Sequence, residues 1–182
     1  IWQSVWYEWV PENYIRKMKI TPDADHGAVS IELCSEKEFS SISCTVYKAT
    51  TNFVASTDAV SHSLPGERTI ALIGVSVQRE SSPNVLRLVL PEDAVHLWTP
   101  EQPYLYSFTI IADNDRIHGY FALRSFTVEP DENGALRFCL NHTPYFLHGL
   151  LDQGYWPDGL MTAPSDEAFL YDIELAKKTG FN

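Results

Sequence analysis

Apolar and polar positions alternate along the first two thirds of the chain. Tyr14 to Ile20 alternates and runs into Thr21-Pro22-Asp23, a turn signal. Val29, Ile31 and Leu33 share one face, with Ala28, Ser30 and Glu32 on the other; Ile42, Cys44 and Val46 repeat the pattern. Arg68 to Val77 is β-branched and broken by Gly74. Leu86, Leu88 and Leu90 form one face, and Tyr104, Tyr106, Phe108 and Ile110 another. Asp113-Asn114-Asp115 reads as a turn, and Ile117 to Val128 as the returning strand. Period-two segments separated by Pro65-Gly66, Pro83-Asn84 and Pro100 to Pro103 predict an immunoglobulin-like antiparallel β-sandwich over residues 1–128. Its expected core includes Ile31, Leu33, Val46, Leu88, Phe108 and Phe121.

The pattern changes after Val128. Asn133-Gly134, between Phe126/Val128 and Leu136/Phe138, predicts a two-residue hairpin turn. A second hairpin is expected from Arg137 to Leu140, through Asn141-His142-Thr143-Pro144, into a strand from Tyr145 to Leu151. A loop rich in glycine, proline and aromatics fills Asp152 to Pro164. Ser165 then caps a helix with Asp166 and Glu167 in its first turn. Phe169, Ile173 and Ala176 form its apolar stripe, and Lys177, Lys178 and Gly180 mark its end. Phe181-Asn182 reads as the start of another strand. Strand, loop, helix, strand is the opening of a parallel βα unit, cut off after one repeat over residues 129–182; a (β/α)8 barrel is one fold that begins this way. Such a barrel needs about 250 residues, so most of it would lie outside this chain. Neither Ile1 nor Asn182 reads as a natural terminus.

Charge narrows the partners. Thirteen basic and 24 acidic side chains give a formal charge of −11 and a pI near 4.8, with no basic run. Nucleic acid and anionic membrane surfaces are therefore not expected partners. Aromatics at 13% set the chain apart from disordered sequences. The three cysteines cannot close a disulfide framework. Cys34 and Cys44 point to opposite faces of their strands, so free thiols are expected, which leans towards a cytoplasmic protein.

Candidate chemistry is sparse. No metal-binding spacing, phosphate loop, dinucleotide fingerprint or nucleophile elbow occurs, so no metal and no cofactor is predicted. Glycoside hydrolysis needs two carboxylates about 5 to 9 Å apart. Asp166, Glu167, Asp172 and Glu174 read as a solvated helix face, which leaves Asp152 and Asp158 as cleft acids. The loop from Asp152 to Gly159 follows a strand at what would be the barrel's C-terminal face, where catalytic loops gather. Asp152 and Gln153 can pair with sugar hydroxyls, and Tyr155 and Trp156 can stack on sugar rings. Equally, the two aromatics can pack an interface between sandwich and barrel.

Several stretches together resemble glycoside hydrolase family 2, which includes β-galactosidases, β-glucuronidases and β-mannosidases. Ile1-Trp2-Gln3-Ser4-Val5-Trp6 resembles the exit from the family's sugar-binding jelly roll. Leu97 to Tyr106 is similar to "W-S/T-P-E-x-P-x-L-Y", and Tyr120 to Phe126 to the "G-x-R" strand. Leu140 to Gly149 resembles "L-N-G-x-P-x-x-L-R-G", and Asp172-Ile173 with Lys177 to Asn182 resembles "D-I-x-x-x-K-x-x-G-F-N". These matches run in family order. The usual "R-G-V-N-R-H-E" departs here to His148-Gly149-Leu150-Leu151-Asp152-Gln153-Gly154, which puts Gln153 where a sugar-contacting histidine stands. That argues against a standard β-galactosidase pocket.

The resemblance implies an internal fragment of a retaining glycosidase that acts on a carbohydrate substrate. Its partners would be the N-terminal jelly roll and the remaining barrel of the same polypeptide. Both catalytic glutamates would lie beyond Asn182, so the chain alone is expected to be inactive, with no catalytic residue of its own. The alternative is a non-catalytic carbohydrate-binding or adhesive sandwich module, which would not need the capped helix after Pro164.

Overall fold

The computed structural model describes residues 5–48, 72–73, 76–79 and 84–182, which form two compact units. Residues up to Thr127, together with Leu140–His142, make the first; Val128–Cys139 and Thr143–Asn182 make the second.

The first unit is built from β1 (Lys17–Asp23), β2 (Ala28–Cys34), β3 (Ile42–Lys48), β4 (Leu72–Ile73), β5 (Ser76–Arg79), β6 (Val85–Val89), β7 (Tyr106–Ala112) and β8 (Asp115–Phe121). One sheet has the order β1-β2-β6-β5 and the other β4-β3-β7-β8, with every recorded pairing antiparallel. Four strands against a second sheet led by the third, seventh and eighth is the strand arrangement of an immunoglobulin-like sandwich, with β4 as a short extra edge. The core draws on both sheets. Val29, Ile31, Leu86 and Leu88 come from one, and Val46, Phe108, Ile110 and Phe121 from the other. All six residues expected in the core are buried. Each such side chain contributes roughly 1.5–3 kcal/mol by leaving water.

Tyr106 shows how the sandwich closes at one corner. It opens β7, its ring stacks on Phe121 with centroids 5.0 Å apart, and its hydroxyl donates to the Ala94 carbonyl at 2.8 Å and accepts from the His96 N–H at 2.6 Å. This bond back to the connection before the strand is the tyrosine corner of immunoglobulin-like domains. Burial pushes the phenol up to about 12, so it stays a donor at any physiological pH. Gly119 lies opposite Phe108, where a Cβ would come within 2.5 Å of the ring; only glycine fits.

Several boundaries differ from the sequence reading. Thr21-Pro22-Asp23 continues β1 rather than ending it; the chain turns at Ala24–His26, with Gly27 left-handed at φ 58°. Pro22 is tolerated because β1 is an edge strand with a free N–H side. Ile117 to Val128 is two strands, β8 and β9 (Phe126–Pro130), because the chain leaves the sheet at Ala122. Most of the expected Arg68–Val77 strand lies outside the described residues. Cys34 is exposed, Cys44 half-buried and Cys139 buried, all free. Burial pushes the Cys44 thiol up to about 12, as befits an unreactive core thiol.

Among the described residues, no carboxylate stands at an outward position of β3, β7 or β8. Register places Tyr47, Ser107 and Tyr120 in one row, Thr45, Thr109 and His118 in the next, and Ser43, Ile111 and Arg116 in the third. All are solvent-accessible.

Candidate functional site

The path to the site runs through two hairpins. β9 connects to β10 (Leu136–Leu140) by a loop that Asp131 organises. One Asp131 oxygen accepts from the Asn133 and Ala135 N–H groups, and the other from Arg137 Nε at 2.9 Å. Those bonds, the Arg137 guanidinium first, hold the carboxyl below the usual aspartate range. The expected two-residue turn at Asn133-Gly134 is therefore a longer loop, because the Asp131 carboxylate supplies the acceptors that a tight turn would draw from the backbone.

The tight turn sits one hairpin later. Asn141 and His142 both have positive φ, 51° and 63°, the backbone of a type I′ turn into β11 (Thr143–Pro144). Asn141 tolerates this conformation because its side chain is fully used: Oδ1 accepts from the Ser125 N–H at 3.0 Å, and Nδ2 donates to the Trp98 carbonyl at 3.0 Å. Arg124, next to that junction, lies over the Trp98 ring at 4.4 Å and the Phe126 ring at 5.1 Å. His142 Nε2 lies 2.8 Å from the Asp25 carboxylate. The two hairpin signals were thus both visible in the sequence, but with their turn lengths exchanged.

Past β11 the expected strand from Tyr145 to Leu151 is not formed as a ladder. Beside it lies Asn182, which bonds to it three times. The His148 N–H donates to Asn182 Oδ1 at 2.7 Å, the Asn182 N–H donates to the His148 carbonyl at 3.0 Å, and Asn182 Nδ2 donates to the Phe146 carbonyl at 2.8 Å. Between them runs α1 (Asp166–Lys178). Gly180, at φ 96°, ends it: the Gly180 and Phe181 N–H groups return to the Lys177 and Ala176 carbonyls. The expected cap residue Ser165 has extended backbone but its side chain caps no helix N–H; the Glu167 backbone N–H first, and the Ser165 hydroxyl second, hold the Glu167 carboxyl low. The apolar stripe is not covered: Phe169 is 51% and Ile173 58% exposed, and α1 has no buried residue.

The four candidate binding residues separate in this frame. Asp152 Oδ1 accepts from the Gly154 N–H at 2.7 Å, an Asx turn that fixes the carboxylate at the start of the loop. Gln153 and Tyr155 are exposed, Tyr155 by 70%. Trp156 is half-buried, edge-on to Phe169 with centroids 5.5 Å apart, and its backbone pairs with Leu160 across a tight turn. The indole thus packs on the helix. Asp152 lines an open groove of about 540 Å³ with Leu150, Leu151, Ile173, Ala176 and Thr179, and Asp172 joins it there. Sequence reasoning placed Asp172 on a solvated face. The missed signal was its spacing: Asp172, Ala176 and Thr179 are an i, i+4, i+7 set on one helix face. Among the described residues no cluster of metal ligands occurs, and no helix is long and apolar enough to cross a membrane.

Residues 13–124 match the model of the family "Glycosyl hydrolases family 2". No curated protein matches the chain. Among solved structures, it is similar to a β-glucuronidase of Faecalibacterium prausnitzii, at 21% identity and a TM-score of 0.65 over 94% of this chain and 24% of that one. A β-glucuronidase of Ruminococcus gnavus follows at 16% and 0.64, over 95% and 24%. The β-D-glucuronidase of Dictyoglomus thermophilum gives 18% and 0.61, over 94% and 25%. The chain spans about a quarter of the length of these neighbours.

Proposed function

Because this chain belongs to glycosyl hydrolase family 2, we propose that it forms the immunoglobulin-like domain and the first βα unit of the (β/α)8 barrel of a longer retaining glycosidase. The observation that carries the reading is Asn182. After α1 it lies beside His148 and is bonded to it in both directions, the start of a second barrel strand next to the first. A free-standing sandwich has no use for that crossover. The remaining strands would cover the exposed stripe of α1 and supply the acid/base and nucleophile carboxylates. In that setting Asp152 and Gln153 bind sugar hydroxyls, Tyr155 offers a stacking face, and Trp156 holds the loop against the helix. Asp152 carries no catalytic role here, since retention needs two carboxyls about 5–5.5 Å apart across the scissile bond.

The solved neighbours make an aryl β-D-glucuronide the first substrate to test. The full-length enzyme is expected to release the β-anomer first, followed by NMR, while residues 1–182 alone turn over nothing. Hydrolysis by the fragment that disappears in an Asp152→Ala variant would overturn the reading.

A further inference from the structure

We propose that Leu160, with Met161 beside it, is the apolar wall that contacts the leaving group of the substrate; this rests on the glycosidase reading above. Among the described residues, four other than glycine have positive φ: Asp113, Asn141, His142 and Leu160. Aspartate, asparagine and histidine are the side chains that tolerate this region, whereas a bulky leucine does not. Leu160, at φ 54°, is thus the strained member of the set. The loop imposes that conformation. The Trp156 N–H donates to the Leu160 carbonyl at 2.7 Å, and the Leu160 N–H returns to the Trp156 carbonyl at 3.0 Å. The Thr162 N–H donates to the Gly159 carbonyl at 3.0 Å, and a Cβ on Gly159 would come within 1.8 Å of the Thr162 carbonyl oxygen, so only glycine fits. Trp156 is itself packed edge-on to Phe169 of α1.

Packing within the unit does not offset the strain. Glycine or asparagine would make the same turn at lower steric cost. The Leu160 side chain is 76% exposed, and Met161 is 55% exposed. Phe169 and Ile173 are exposed too, but they stand in ordinary helical backbone and need only a covering neighbour. A strained residue persists where its surroundings fix it, and such residues gather at ligand clamps. Chemistry identifies what this one takes. Leucine and methionine offer a sugar hydroxyl no hydrogen bond, whereas Asp152, Gln153 and Tyr155, earlier in the same loop, do. The sugar therefore belongs to the first half of the loop. The apolar pair suits the far side of the scissile bond, an aromatic or alkyl leaving group, and the flexible thioether of Met161 adapts to its shape.

The test is the kinetics of the full-length enzyme on paired phenyl and methyl β-glycosides of glucuronic acid, galactose and mannose, using the sugar it turns over fastest. kcat/KM covers the step in which the leaving group departs, and the phenyl-to-methyl ratio cancels what the sugar contributes. In Leu160→Asn, which tolerates the left-handed backbone, that ratio is expected to fall about tenfold. Leu160→Gly, which removes the strain as well as the side chain, should fall as far. Thermal melting of both variants is expected to stay near that of the parent, because no packing is lost. An unchanged ratio overturns the assignment, also where both glycosides lose equally, since the leucine would then only shape the loop. A lower melting temperature in both variants with an unchanged ratio overturns it equally, because the rest of the barrel would then cover the side chain. Release of phenol from none of the three sugars by the parent enzyme overturns the glycosidase reading itself, a result distinct from the others.

Discussion

The two units put their apolar side chains to opposite ends. In the first, alternation places Val29, Ile31, Leu86, Leu88, Phe108 and Ile110 on facing sheets, and all are buried. In the second, Leu150, Leu151, Phe169 and Ile173 are equally apolar and all exposed. The sandwich is closed because every strand has a sheet opposite it. A single βα unit cannot close, since a barrel strand is covered on both faces only when its neighbours and helices are present. The difference teaches that local pattern can be satisfied while tertiary burial is not: α1 has its acidic first turn, its left-handed stop and its amphipathic stripe, and still buries nothing.

The sharpest break of this contrast is a cavity in the closed unit. Phe108 is 1% exposed and packs on Phe121 and Gly119. Phe108→Ala is expected to cost about 3–5 kcal/mol, read as a lower denaturant midpoint in urea unfolding. A loss under 1 kcal/mol would mean that the core is not closed. Tyr106→Phe comes next. It keeps the ring but leaves the Ala94 carbonyl and the His96 N–H without their partner. The expected loss is about 1–3 kcal/mol, measured in the same way, and an unchanged midpoint would remove the corner from the account of stability.

What the sequence made legible follows the same divide. The β-sandwich and its six core residues followed from alternation, because a period-two face has one meaning when it is buried. The bounds of α1 followed from its acidic first turn and its glycine stop. The turns did not follow. Asn133-Gly134 has the preferred residues for a two-residue turn, but the Asp131 carboxylate, two residues before Asn133, captured the backbone donors of Asn133 and Ala135. Asn141-His142 lacks glycine, yet Asn141 meets the strain through contacts with Trp98 and Ser125, far off in sequence. Likewise the loop residue Asp152 was visible as a candidate, whereas Asp172 required knowing which helix face turns to the groove. A neighbouring carboxylate decides the first turn and distant partners the second, and residue preferences at the turn positions alone carry no record of either.

Acid exposes a smaller, distributed effect in the closed unit. Hydrogen bonds from the Ser41 and Ser40 N–H groups hold the Asp113 carboxyl low, and the Arg87 guanidinium, with His26, holds Asp23 low. A carboxyl that is depressed in the folded state stabilises the fold fully above its unfolded pKa, about 3.9. That contribution is lost as pH falls through the lower folded value. Stability should therefore decline below about pH 4, and an Asp113→Asn variant should show a shallower decline over that window. Identical acid profiles for the two proteins would show that the Asp113 bonds do not distinguish folded from unfolded chain.

The smallest expected effect tests the open unit. Ile173→Ser removes as much apolar surface as many core changes do, but Ile173 is already 58% exposed on a helix with no buried residue. Losing solvated surface costs little, so the change should stay within about 0.5 kcal/mol in residues 1–182. The same substitution in the full-length protein faces a different reference state. If the rest of the barrel covers the α1 stripe, burial of the isoleucine is worth roughly 1.5–3 kcal/mol, and the variant should lose that much there. The measurement is a pair of urea titrations, fragment and full length, followed by the far-UV signal of the helix. A penalty of equal size in both would mean that the stripe is never covered, and the second unit would then be no part of a barrel.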